Sequence, residues 1–279
     1  MKHTLSISVV IVTFERFPSI LKRALDSVFA QTYVVSKIII ADMNTDSRIS
    51  SLISDYVDSI GRFDVKLIRL PGKSNNYGRN YSAFYAESDC IAFLDDDDEW
   101  APQKLENQMN IMDENISIVF SNYEIEKKND NNVQFFDITP EIDDIKMKIL
   151  GENVIGCTSM PLLSTKAFKE AGGFDESFKA NQEWDLWIRM LQNGYVKCCP
   201  EIAGIKHSSK ESISNSRYKR TDGWIRLLMK HSRLYRKNPK QFFKATEYFS
   251  GEMFNKKMYL TGAVVFMMHE FFNVICRDI

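Results

Sequence analysis

Along the first 120 or so residues, unbroken apolar runs alternate with stretches in which apolar side chains recur every three or four positions. Residues 6–12 (SISVVIV) form a β-branched run, the pattern of a central strand buried on both faces. Pro18 then opens a stretch with Ile20, Leu21, Ala24, Leu25 and Val28 at helical spacing. Proline suits a first helical turn, where its missing N–H would have no partner. Residues 37–41 (KIIIA) predict the next strand, and Asp46 is placed to cap a helix running to about Ser59. Further strands are expected at 65–70, 90–94 (CIAFL) and 116–121 (ISIVFS), with helices at 77–87 and 102–112. This alternation predicts an α/β fold with a doubly wound, mainly parallel sheet and flanking helices. Ligands of such sheets sit at the carboxyl ends of strands, which singles out residues 13–16, 42–46 and 95–98.

Past Asn129 the pattern loosens. Residues 127–132 (KKNDNN) read as a loop, a second motif-rich zone runs from 156 to 207, and from about Arg220 the chain is helical, basic and aromatic. The 279 residues, 44% hydrophobic and 26% charged, suffice for one large domain, or for one domain with a helical appendage. The formal net charge of −1 favours no partner, but its distribution is uneven: basic residues dominate from Arg217 onward. Such asymmetry points one end of the chain at an anionic surface. The five cysteines (Cys90, Cys157, Cys198, Cys199 and Cys276) lack metal-ligand spacing and are odd in number, which fits a reducing, cytoplasmic compartment. The chain enters a strand-like run almost at once, leaving no room for an export signal.

Asp95, Asp96, Asp97 and Asp98 follow CIAFL directly. An acidic turn at a helix start is common. Four adjacent carboxylates at the end of a buried strand, however, repel one another unless a cation neutralises them. Mg²⁺ is usually held by one or two carboxylates, with phosphate oxygens and waters completing its shell.

Several stretches then resemble, in order, the motifs of the inverting glycosyltransferase family 2. SVVIVTFER (8–16) is similar to its opening strand, and residues 24–33 to its helix ending in S-x-x-x-Q-T-Y. IIADMNTD (39–46) is similar to V-D-D-G-S-T-D, Gly78-Arg79-Asn80 to A-R-N, and residues 93–100 to F-L-D-x-D-D-x-W. Residues 172–176 (GGFDE) and 183–189 (EWDLWIR) look like the acceptor-side motifs. The resemblance implies a GT-A fold over residues 1–216, with a nucleotide-sugar half (1–125), an acceptor half (126–216) and a basic, aromatic helical tail (217–279). It implies that Thr13, Phe14 and Glu15 line the nucleoside pocket, that Asp42 bonds the base (usually uracil), and that Arg79 lies near the base or diphosphate. Asp95 and Asp96 would join the metal-and-ribose motif, with Asp97 the direct ligand of Mn²⁺ or Mg²⁺. His207 resembles a histidine placed beside diphosphate and metal in some members; a lone histidine is as often structural. Two departures, Glu15 for the common Asn and Met43-Asn44 for Gly-Ser, leave the base identity open.

The reaction implied is a single displacement with inversion. A nucleotide sugar (UDP in the usual case) donates to a glycan hydroxyl in lipopolysaccharide, O-antigen or exopolysaccharide assembly. Glu183 would serve as general base. Asp185 competes for that role, but in a helix starting near Glu183 the two side chains take different faces, and Asp185 can pair instead with Arg189 at i+4. The tail is open to two readings. It can lie as a peripheral element on an anionic cytoplasmic leaflet, serving a lipid-linked acceptor, or pack on protein, including a second copy of the chain. The uncharged run at 258–268 is too short to span a bilayer, and no nucleic-acid motif accompanies the basic stretch. Two alternatives are a sugar nucleotidyltransferase, whose Gly-rich loop VTFERFPS lacks, and a non-catalytic nucleotide- or glycan-binding relative, which need not keep a repulsive acidic run.

Overall fold

A computed structural model describes residues 5–127, 134–136, 145–208 and 216–255. Strand β1 (Ile7–Thr13) is buried at every position, as its β-branched run requires. Helix α1 (Pro18–Phe29) follows, then β2 (Lys37–Asp42) and α2 (Ser47–Ile60). The Asp46 side chain accepts from Arg48 N to cap α2, which ends at Gly61 with φ 65°, a conformation glycine adopts without strain. After β3 (Val65–Arg69), α3 (Asn75–Tyr85) starts two residues before the expected point because Ser74 caps it, accepting from Tyr77 N. Next come β4 (Cys90–Asp95), the short β5 (Glu99–Trp100) and a six-residue α4 (Lys104–Met109), shorter than the pattern predicts.

The second half contains β6 (Ile116–Lys127), β7 (Gln134–Phe136), α5 (Ile145–Gly151), β8 (Leu162–Ser164), α6 (Thr165–Glu170), α7 (Gln182–Asn193) and β9 (Tyr195–Ser208). One sheet joins them in the order β3-β2-β1-β4-β8-β6-β9-β5, with β7 on β6. The block β3-β2-β1-β4 is parallel throughout, and β6 runs parallel to β9. Strand β8 joins the halves, antiparallel to both β4 and β6. Alternate strand residues feed opposite cores. Ile7, Val9 and Ile11 pack with Leu21 and Leu25 of α1, while Val10, Val12 and Phe93 pack with Trp184 and Trp187 of α7.

The chain ends, within the described residues, in α8 (Arg217–Lys230), α9 (Ser232–Lys237) and α10 (Pro239–Asn255). These helices share the α7 core: Leu227, Tyr235 and Ala245 are buried with Trp184 and Trp187. Tyr235 donates its hydroxyl to Leu150 O (2.9 Å), and the Tyr248 ring meets Trp184 edge-on at 5.7 Å. The run at 258–268, central to the membrane reading of the tail, lies outside the described residues. Among the described residues, no helix is long and apolar enough to cross a membrane.

Candidate functional site

The parallel register lines up the carboxyl ends of three strands. Thr13 pairs with Asp42, and Val12 with Asp95, so Thr13, Asp42 and Asp95 lie side by side at the rim. Asp42 is 1% exposed. Its Oδ1 accepts from Asn44 N (2.9 Å) and Asn44 Nδ2 (2.6 Å), while Oδ2 has no hydrogen bond among the described residues. A buried carboxylate oxygen without a donor is costly and points to a missing partner. A cavity of about 330 Å³ opens beside it, lined in part by Ser50, Ser54 and Arg69. Phe14 is 39% exposed, and Glu15 adopts φ 53°, a left-handed conformation more favourable for asparagine than for glutamate. Asn44 Oδ1 accepts from Glu15 N at 2.7 Å and pins that backbone. The two departures from the family pattern are therefore physically linked: Asn44 bridges Asp42 to the strained Glu15.

The acidic run divides its labour. Asp95 accepts from Arg79 Nη2 (2.6 Å), and Arg79 is itself buried on α3. Asp97 pairs with Arg16 Nη2 at 3.1 Å, and Arg23 donates to the Asp97 carbonyl at 2.6 Å. Asp96 is 7% exposed, and its Oδ2, like Thr13 Oγ1, has no hydrogen bond of normal geometry among the described residues. Burial, reinforced by the charges of Asp97 and Asp95, pushes the Asp96 carboxyl up to about 7. Burial and Asp95 raise Asp97 as well.

Asp98 takes a different station, one the motif pattern did not reveal. Ser159 Oγ donates to its Oδ2 (2.5 Å) and accepts from Asp95 N (3.1 Å), while Asp98 Oδ1 accepts from His207 N (3.0 Å). Asp98 thus fastens β9 and the 159 loop to the turn. Gly204 permits the close approach, because a Cβ there would lie 2.1 Å from Glu99 O.

Glu183 sits in the first turn of α7, after Asn181 in a left-handed conformation (φ 58°). It is partly buried, which raises its carboxyl; its own amide, Lys206 and Arg79 oppose that rise, and Asp95 adds to it. Asp185 does not join this group. It is fully buried, accepting from Arg189 Nε and Nη2 (2.9 and 2.7 Å) and Lys230 Nζ (3.0 Å), with His231 Nε2 at 2.9 Å. That network ties α7 to α8 and α9. The His207 ring lies between Glu99 Oε1 and Glu126 Oε2, each 2.7 Å away; to ligate a cation it must release one of them. Among the described residues, no three His, Cys, Asp or Glu side chains converge to hold a metal unaided. Neither Ser159 nor Lys206 belongs to a motif in the sequence. Ser159 carries no local signal, whereas Lys206 adjoins His207.

A model described as Glycosyl transferase family 2 matches residues 8–172, more than half of the chain. The chain belongs to glycosyl transferase family 2. Within this family it is similar to an Escherichia coli protein named UDP-Glc:alpha-D-GlcNAc-diphosphoundecaprenol beta-1,3-glucosyltransferase WfgD. The two are 28% identical over 200 residues, covering 70% of this chain and 75% of the relative. An uncharacterized glycosyltransferase of Rickettsia typhi is 30% identical over 183 residues, 62% of this chain; the chain spans only 54% of that relative's length. Two solved structures share the GT-A fold. Staphylococcus aureus TarS in complex with UDP-GlcNAc superposes with TM-score 0.67 at 14% identity, over 89% of this chain and 73% of that one. A Pyrobaculum calidifontis mannosyltransferase in complex with GDP-Man and Mn²⁺ gives 0.62 at 13% identity, over 83% and 65%. Glu183, Asp185 and His207 lie beyond the span the family model matches.

Proposed function

We propose that this family 2 member transfers a glycosyl group from a nucleoside diphosphate sugar to an acceptor hydroxyl, with inversion. The observation that carries this reading is that, among the described residues, buried carboxylate oxygens without partners, on Asp42 and Asp96, sit at the carboxyl ends of β2 and β4 on either side of β1, beside the Asp95–Arg79 pair. In this reading Asp42 receives the base through its unpaired Oδ2, and Thr13, Phe14 and Glu15 form the wall around it. UDP is the preferred donor nucleotide, supported by the name of the E. coli relative and by the UDP-GlcNAc complex of TarS. That E. coli name also supports a lipid-linked acceptor, to which a basic tail at an anionic leaflet would give access.

The residues fit a divalent cation, Mn²⁺ or Mg²⁺. Buried Asp96 carries an unsatisfied oxygen beside two further carboxylates, a repulsion that a cation relieves. Asp97, with the unpaired oxygen of Asp96 beside it, would hold it together with the diphosphate, so no closed protein cage is required. When bound, such an ion stabilises the charge that builds on the departing diphosphate.

Arg79 anchors Asp95 and so fixes the floor of the site. Glu183, whose carboxyl is raised by burial, takes the proton of the acceptor hydroxyl as that oxygen bonds to the anomeric carbon. The sugar–phosphate bond breaks on the opposite face, and the nucleoside diphosphate leaves with the electron pair. Glu183→Gln keeps the shape and removes the base. We expect donor hydrolysis and transfer to fall by roughly two to four orders of magnitude, with donor affinity within about threefold of wild type. Wild-type turnover in this variant would remove Glu183 from the role.

A further inference from the structure

The acidic turn is met by four cations, and three have direct partners. Arg16 holds Asp97, Arg23 holds Glu99 at 3.1 Å, and Arg79 holds Asp95. Lys206 is the fourth. Its neighbour Ile205 pairs with Glu99 across β9 and β5, and the amide of His207 donates to Asp98 Oδ1. The backbone thereby fixes Lys206 beside the turn. The His207 ring reaches Glu99 and Glu126, and successive side chains of a strand project to opposite faces. Lys206 therefore projects to the other face, where Asp98, Glu183 and Asp95 all act on its ammonium. Among the described residues this ammonium has no hydrogen bond and no ion pair within 4.0 Å.

We propose that Lys206 is a positioning residue of the donor site, whose ammonium binds the diphosphate of the nucleotide sugar and holds it as the glycosidic bond breaks. This inference rests on the reading given under Proposed function. A diphosphate carries more negative charge than the turn's engaged arginines can answer, since each is already committed to a carboxylate. A partly buried ammonium without a protein partner supplies the missing contact, and charge-assisted bonds to phosphate are the strong ones.

The test is calorimetric titration of the full chain with UDP and with UMP, in EDTA and in Mn²⁺. In wild type, UDP binds more tightly than UMP in both media. Lys206→Met, close in shape but uncharged, is expected to weaken UDP roughly ten- to hundredfold in both media, the weight of one charged hydrogen bond. UMP should change much less, so that the two affinities converge, and Lys206→Arg should restore most of the difference. Should the Met variant not fold, Lys206→Gln provides the same comparison. An unchanged UDP-to-UMP ratio in a folded Met or Gln variant overturns the inference and leaves the glycosyltransfer reading standing. If wild type binds none of UDP, GDP or dTDP in either medium, the donor reading itself fails, and the role of Lys206 falls with it.

Discussion

Asp185→Asn removes one negative charge from a site where three basic side chains converge on a fully buried carboxylate. Two of these side chains retain some solvent: Arg189 is 18% exposed and Lys230 is 32%. Breaking a buried ion pair costs about 3–5 kcal/mol. Partial hydration of Arg189 and Lys230, together with the hydrogen bonds an amide oxygen can still accept, places this variant near the lower bound, about 3 kcal/mol. For a chain of this size that corresponds to a drop in Tm of roughly 6–12 °C.

The pH dependence follows from the same contacts. Burial would raise the Asp185 carboxyl, but the hydrogen bond from His231, with Arg189 and Lys230, outweighs it and holds the carboxyl below the usual carboxylate value. A depressed carboxylate contributes stability that is complete above its unfolded pKa and is lost as pH falls through the folded one. Wild type should therefore lose this increment only at strongly acidic pH, and Asp185→Asn should lack that part of the acid limb. Thermal scans from pH 8 down to acid would measure both effects. Because Glu183 is untouched, donor hydrolysis at low temperature should persist. A Tm within about 2 °C of wild type, or loss of hydrolysis in a folded variant, would refute the assignment of Asp185 as an anchor of the C-terminal helices.

Two further outcomes test the turn. Gly204→Ala places a Cβ 2.1 Å from Glu99 O and 2.9 Å from Trp100 Cα, so β5 must separate from β9. A cost of about 2 kcal/mol or more is expected in urea unfolding, with reduced turnover because Asp98 and His207 move with the strands; wild-type stability would show that the pairing yields freely. Asp97→Ala removes a partly exposed pair with Arg16, worth up to about 1 kcal/mol of stability. It should lower Mn²⁺-supported UDP affinity about tenfold or more while changing affinity in EDTA little, and equal losses in both media would argue against a cation-holding role for Asp97.

The strand–helix alternation up to β6 was legible because it depends on periodicity within ten or so residues, which the chain carries locally. SISVVIV had to be a buried central strand, and CIAFL followed by four aspartates had to end a strand in a charged turn. Capping moved boundaries, as Ser74 did for α3, but left the element in place. The site's composition was less legible, because it depends on residues that only the sheet order brings together. Ser159 meets Asp98 across 61 positions and His207 meets it across 109, through the insertion of β8 beside β4 and of β5 beside β9. No local pattern encodes such pairings. The choice between Glu183 and Asp185 was half visible, since helical geometry sends neighbouring side chains to different faces. That Asp185 meets Lys230 and His231 as well as Arg189 was decided only when α8 and α9 closed over α7.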